Sequence, residues 1–288
     1  MSREYKVKLA CYANKRYYRT QKALKVSALQ NGVDEVVAYN ELWLKCQKSF
    51  SERNEKILSA ERGNGYWLWK PLVILDALQN MQPDDVLVYS DSALRVVDNI
   101  RLLTDVLHHR DITLFNNRGF PNKNWTKRDC FVYMDCDDDK FHSGEQISAN
   151  VIVCRNTKAT RELISEWLAF CQDERIISDN PNVCGKDNIP GFIDHRHDQS
   201  VLSILRVKYD LELFRETTQF GNRYKLKNFR VEGEIGENDY CAPLHNSPYP
   251  TIFDAHGIVV ALSIKDRIFY RLYSLQMRLK SFISSGRY

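Results

Sequence analysis

The chain has 288 residues, enough for one large domain or two small ones. Its 43% apolar and 27% charged residues are those of a soluble globular protein, and it contains no run of about 18 apolar residues that could span a membrane. The net charge is +4, but residues 261–288 hold six bases against Asp266 alone, a net of +5, which leaves −1 for the other 260 residues and excludes a nucleic-acid surface on the body by bulk charge.

Met1 to Lys8 is too polar for the apolar core of a signal peptide. The eight cysteines show no Cys-x-x-Cys spacing, which argues against zinc and for reduced thiols in a cytoplasmic protein.

In chain order, Lys6 to Tyr12 alternates as a first strand and leads to a polar turn at Asn14-Lys15-Arg16. Arg19 to Gln30 has helical spacing, closed by Asn31-Gly32. Glu35 to Tyr39 is a second strand. Glu41 to Phe50 and Glu52 to Leu58 are short helical pieces. Next comes Glu61-Arg62-Gly63-Asn64-Gly65-Tyr66-Trp67-Leu68-Trp69-Lys70-Pro71. Gly63 and Gly65 allow positive φ. Pro71 suits a first helical turn, and Leu72, Leu75 and Leu78 continue that helix. Lys70 therefore falls near a helix N-terminus, where anions are favoured. After a turn at Gln82 to Asp85, the apolar run Val86 to Tyr89 reads as a buried strand ending at Asp91. In open α/β sheets, ligands bind beyond the carboxyl ends of strands, and a carboxylate there suits a hard divalent cation on substrate phosphates.

Further on, a helix is expected over 98–108, a strand over 112–115, a polar segment over 116–124 and helical spacing over 125–134. Asp135, Asp137, Asp138 and Asp139 read as a solvated loop, with a second cation site as the alternative. A strand lies within 146–153 and a strong helix over 160–172, with Leu163, Ile164, Trp167 and Leu168 on one side. Residues 173–194 are loop-like. His195-Arg196-His197-Asp198-Gln199-Ser200 opens a helix through Val207, and residues 216–250 look irregular. Thr251 to Phe253 is a short strand ending at Asp254-Ala255-His256-Gly257. Residues 1–260 thus form an α/β domain with a mostly parallel sheet flanked by helices. Residues 261–288 form a basic amphipathic helix, with Ile268, Leu272, Leu275, Leu279 and Phe282 on one stripe. That helix is suited to a membrane surface, to packing on the catalytic domain, or to a second subunit of a homo-oligomer.

At Arg62-Gly63-x-Gly65-Tyr66-Trp67-Leu68-Trp69-Lys70-Pro71, Tyr89-x-Asp91-Ser92 and His195-Arg196-His197-Asp198-Gln199-Ser200, the chain resembles GT-A type glycosyltransferases of the capsule and surface-glycan kind. Order and spacing agree over roughly residues 5 to 260. The resemblance implies a Rossmann-like nucleotide-diphospho-sugar transferase fold, a nucleotide-sugar donor, Mn²⁺ (or Mg²⁺), and transfer of a hexose or pentose to a glycan or lipid-linked sugar. The usual Asp-x-Asp is represented here by Ser90-Asp91-Ser92, with Ala93 where glycine is commoner. His256 or a donor phosphate would then complete the metal shell.

The candidate residues follow. Asp91 is expected as a metal or ribose ligand, with Ser92 beside it, and a turn residue is the alternative. Arg62 and Lys70 are donor-phosphate or acceptor contacts, or else solvated helix-start residues. Tyr12 stacks on a nucleobase or packs. Trp67 and Trp69, with His197 and Gln199, face the acceptor; His195 and His197 could instead orient the loop. Asp198, expected at the cleft edge, is the catalytic carboxylate or an ordinary N-cap. His256 is the further metal ligand, with His245 behind it. The favoured reading is a metal-dependent glycosyltransferase using a UDP-sugar. The alternative is a sugar- or nucleotide-binding protein without turnover; a nucleotidyltransferase ranks below both because Tyr12 to Arg16 lacks glycine.

Overall fold

A computed structural model of the chain describes residues 5–107, 110–221 and 246–255, apart from the side chain of residue 118. His245, His256 and the basic stretch 261–288 lie outside the described residues.

The strands are β1 (Val7–Ala13), β2 (Glu35–Asn40), β3 (Val86–Ser90), β4 (Leu94–Val96), β5 (Ile112–Pro121), β6 (Glu145–Ile147), β7 (Val151–Arg155), β8 (Leu213–Phe214) and β9 (Phe253–Ala255). The main sheet runs β2-β1-β3-β7-β5-β6, with β8 on β5. β1 is parallel to β2 and β3, and β5 to β8; β7 joins β3 and β5 antiparallel, as β6 joins β5. The fold is thus the expected α/β sheet flanked by helices, with a parallel N-terminal half. β4 and β9 form a separate two-stranded ladder.

The central strands are buried on both faces, so alternate residues enter different cores. Leu9 and Cys11, Val86 and Val88, Val151 and Val153 enter one core with helix α1 (Tyr18–Gln30). Ala10 and Tyr12, Leu87 and Tyr89, Ile152 and Cys154 enter the other. That second core is covered by α2 (Trp69–Gln79), α3 (Lys158–Cys171) and α4 (Asp198–Lys208). Two-residue periodicity puts both cores on one set of strands. No helix among the described residues is long and apolar enough to cross a membrane.

Three local expectations change. The helix expected over 98–108 survives only as Arg101–Thr104 among the described residues. Backbone groups just before it are used elsewhere: Val97 N–H donates to Ile252 O and Ile100 N–H to Asn31 O. The strand expected over 112–115 is longer, because β5 runs through the start of the polar segment to Pro121. Asn116 is buried there and its side-chain oxygen accepts from Glu216 N–H. The acidic run is not simply solvated. Asp137 meets Arg128, His142 and Lys186 at 2.8–3.0 Å. Burial raises its carboxyl, but these three partners outweigh that and hold it below the ordinary range.

Buried charge also shapes the long segment 178–197. Asp129, fully buried, accepts from the backbone N–H groups of Val183 and Cys184 at 2.9–3.0 Å. Lys127 donates to the carbonyls of Ser178 (3.3 Å) and Asn180 (2.8 Å). A segment with little regular structure is therefore held by two side chains from one neighbouring strip of chain. Asp129→Ala removes the carboxylate that both N–H groups share, a loss of about 1.5–3 kcal/mol for hydrogen bonds to a charged group. Limited proteolysis should then cut within 178–194 at least about tenfold faster than in the parent chain. Unchanged cleavage would show that Asp129 does not hold the segment.

Candidate active site

The site begins with backbone conformation. Gly63, Asn64, Gly65, Tyr66 and Trp67 all have positive φ, between 52° and 92°. Tyr66 N–H donates to Arg62 O (2.8 Å) and Trp67 N–H to Gly63 O (3.3 Å), making one turn of left-handed helix before α2 begins. A left-handed conformation costs about 1–2 kcal/mol per non-glycine residue, and three of the five are not glycine. Gly63 is required for a second reason. A Cβ there would lie 2.2 Å from the Trp67 ring.

The turn aims its aromatic rings in different directions. Trp69 stacks on Tyr12 at 4.0 Å, and its indole N–H donates to Gly63 O at 3.0 Å. Tyr66 stacks on His197 at 4.8 Å and Trp67 tilts against the same ring at 5.6 Å. His197 is itself strained, with φ 52° and ψ −119°, directly before Asp198. Its Nδ1–H donates to Ile177 O at 2.7 Å, and burial lowers its pKa to about 4, so the ring is neutral. His195 is neutral for the same reason, donating to Ile176 O and accepting from Lys127 N–H.

Two strained turns thus bring two charged residues together. Lys70, 3% exposed, lies near the start of α2, and Asp198, also 3% exposed, is the first residue of α4. The Lys70 ammonium lies 3.3 Å from Asp198 Oδ2 and 3.3 Å from Asp91 Oδ1, and donates to Ala149 O at 2.9 Å. Asp91 follows β3, and Ala149 lies in the turn between β6 and β7. Tyr89, buried, donates its hydroxyl to the same Asp91 Oδ1 at 2.7 Å. Burial acts against the Lys70 charge, but Asp198 and Asp91 more than restore it, so the ammonium persists. Asp198 is raised to about 6, first by burial and then by Asp91, with Lys70 pulling the other way.

Above this group opens a cleft of about 330 Å³ at the carboxyl ends of β1 and β3. Tyr12, Trp67, Trp69, Asp91 and Ser92 line it. Asp91 is 32% exposed at its side chain, and its Oδ2 has no partner among the described residues. Ser92 uses its hydroxyl to donate to Tyr12 O at 2.6 Å, which ties the two strand ends.

Other expected contacts are placed away from the cleft lining. Arg62 is spent on carboxylates, forking onto Asp194 (2.5 and 3.2 Å) and reaching Asp179 (3.2 Å). Lys70 and Asp198 lie beneath the cleft rather than at its edge. The His197 ring is 1% exposed, and Gln199 donates into a buried amide chain through Gln146. Sequence reasoning did not single out Arg16, Glu61 or Asn64, which also line the cleft. The polar turn after the first strand and the Gly-Asn-Gly string were their signal.

No protein-family model and no curated protein matches the sequence. Solved structures similar to it include glycosyltransferases. The bifunctional glycosyltransferase WbbM, in its apo form, is 12% identical at a TM-score of 0.41, over 71% of this chain but only 38% of that one. Apo mouse xyloside xylosyltransferase 1 is 10% identical at 0.47, over 90% and 99%. The galactosyltransferase LgtC, solved with donor and acceptor sugar analogues, is 12% identical at 0.37, over 93% and 95%.

Removing the ammonium tests whether it holds the site. Lys70→Met leaves the buried Asp198 without its cation and beside Asp91, at a cost of about 3–5 kcal/mol. Lys70→Met with Asp198→Asn should recover part of that loss. Urea denaturation reads both. A Lys70→Met chain as stable as the parent would mean the three groups are not coupled.

Proposed function

We propose that the chain is a GT-A type glycosyltransferase that moves a hexose or pentose from a nucleotide sugar, a UDP-sugar in the first instance, to a glycan or lipid-linked sugar. The observation that supports this most is the buried Lys70 ammonium joining a cleft carboxylate, Asp91, to a second carboxylate, Asp198. The cleft lies where α/β sheets bind ligands, and it offers flat rings, an amide and a carboxylate.

Transfer requires three things of these residues. The donor must be held, with its base and sugar against the Tyr12–Trp69 stack and Trp67. The departing diphosphate must be balanced by positive charge. The acceptor hydroxyl must lose a proton as the new C–O bond forms and the bond to the diphosphate breaks. Asp198, raised to about 6, stays ionised at neutral pH yet accepts a proton readily. Lys70 touches both carboxylates and relays the proton: its ammonium gives one proton to Asp198 as it takes one from the acceptor side, so the lysine ends charged and the proton ends on Asp198.

The cleft also fits a divalent cation carried in by the diphosphate. Among the described residues no group of three ligands exists, but Mg²⁺-like ions are commonly held by one or two carboxylates plus substrate phosphates, and Asp91 Oδ2 is free for that. Bound there, such an ion would offset the charge growing on the leaving group. His256, its other expected ligand, is among the residues not described.

The competing reading, a binding protein without turnover, is favoured by the single carboxylate of Ser90-Asp91-Ser92, where the usual motif has two. Release of UDP from a UDP-sugar, measured with Mn²⁺ and again with EDTA, separates the two. The enzyme releases UDP in the first case and far less in the second. Asp198→Asn should lose turnover by at least about a hundredfold while UDP affinity stays within a few fold. The parent rate should fall as pH drops through about 6, where Asp198 takes up a proton and no longer accepts one. A fully active Asp198→Asn chain would remove this carboxylate from the reaction.

A further inference from the structure

Both cations expected to meet the donor phosphates are already engaged. Arg62 forks onto Asp194 and Asp179, and Lys70 is buried between Asp91 and Asp198. The cleft lining otherwise carries the acids Glu61 and Asp91. A diphosphate brought to those two acids alone would be repelled.

The lining has one cation, Arg16, and among the described residues it has no ion pair. Its backbone is fixed. Asn14 caps the short turn Lys15–Tyr17, its Oδ1 accepting from Arg16 N–H at 3.2 Å, directly before α1, whose first turn holds no acid. The guanidinium stands 5.6 Å over the Tyr17 ring and is exposed. The planar fork of arginine matches two phosphate oxygens, and it stays charged at any working pH.

We propose that Arg16 grips the diphosphate of the donor and sets the preference for phosphorylated over unphosphorylated nucleosides. The inference rests on the nucleotide-sugar reading above. It assigns to the turn after the first strand what the sequence suggested for Lys70 and Arg62. Those two cations have other duties: one joins the two carboxylates and the other clasps the segment containing Asp179 and Asp194.

Titration of the full chain with UDP and with uridine, in Mn²⁺ and followed by tryptophan fluorescence, tests it, with GDP and guanosine run alongside. The parent should bind the diphosphate at least about tenfold more tightly than the nucleoside. Arg16→Gln should weaken diphosphate binding by about 10- to 100-fold, as for a lost charge-assisted hydrogen bond, and leave nucleoside binding within twofold. Arg16→Lys, keeping the charge without the fork, should fall between them. Arg16 is exposed, so the thermal midpoint should not move. An Arg16→Gln chain with the parent's diphosphate-to-nucleoside ratio overturns the inference and leaves the glycosyltransferase reading standing. A parent chain that prefers neither diphosphate over its nucleoside overturns both.

Discussion

One buried ammonium organises the functional end of this molecule. Lys70 is almost without solvent, so it must be met by opposite charge, and Asp91 and Asp198 supply it. Those partners arrive from separate places: the end of β3 and the start of α4. The carbonyl of Ala149, in the turn before β7, completes the set. Four segments distant in the chain are therefore tied at a single nitrogen. A buried ion group of this kind is weak evidence for stability, since an apolar replacement of similar shape can do as well. What it provides is placement. Asp91 Oδ1 is taken by Lys70 and Tyr89, which leaves the other oxygen to the cleft.

The backbone around that nitrogen shows what the placement costs. A left-handed turn of five residues precedes Lys70, and a residue with φ 52° and ψ −119° precedes Asp198. Neither would persist alone. They support one another through the stacking of Tyr66 and Trp67 on His197, and the neutral His197 ring is pinned to Ile177 O. Strain in one turn is thus offset by packing against the other. The helix Trp69–Gln79 starts where it does because the left-handed turn ends at Trp67, and Pro71 falls in its first turn, where no intrahelical N–H is needed.

Much of this architecture was legible in the residues. The unbroken apolar run Val86 to Tyr89 marks a strand buried on both faces, a second strand was readable within 146–153, and Leu163, Ile164, Trp167 and Leu168 mark the strongest helix. Asp91 at a strand end was readable as facing a ligand region, and the glycines of Gly63-Asn64-Gly65 as a special turn. What could not be read was commitment. Arg62, Lys70 and His197 carry groups that could meet substrate, yet each is engaged by residues about 20 to 140 positions away, which no local pattern reveals. Asp129 likewise looks like an ordinary helix acid, and Asp179 and Asp194 like ordinary loop acids, until the fold shows what they hold. The length of β5 escaped for a similar reason. Asn116 reads as the start of a polar segment, but its side chain finds Glu216 N–H across a hundred residues.

Charge in the site leads to a last consequence. At neutral pH, Asp91 and Asp198 together outweigh Lys70 by one negative charge, in a region where Asp198 and Lys70 are almost dry. Burial raises the proton affinity of Asp198, and the neighbouring charge of Asp91 adds to it against the pull of Lys70, bringing it to about 6. The same excess can be relieved from the cleft side, by positive charge approaching the open oxygen of Asp91. Either route changes the field at the other carboxylate, because both share one ammonium. A ligand that carries positive charge to Asp91 therefore lowers the proton affinity of Asp198, while protonation of Asp198 weakens the hold of Asp91 on a cation. By linkage the two effects are equal in size. Occupation of the cleft and the protonation state beneath it are thus coupled by the geometry of a single lysine.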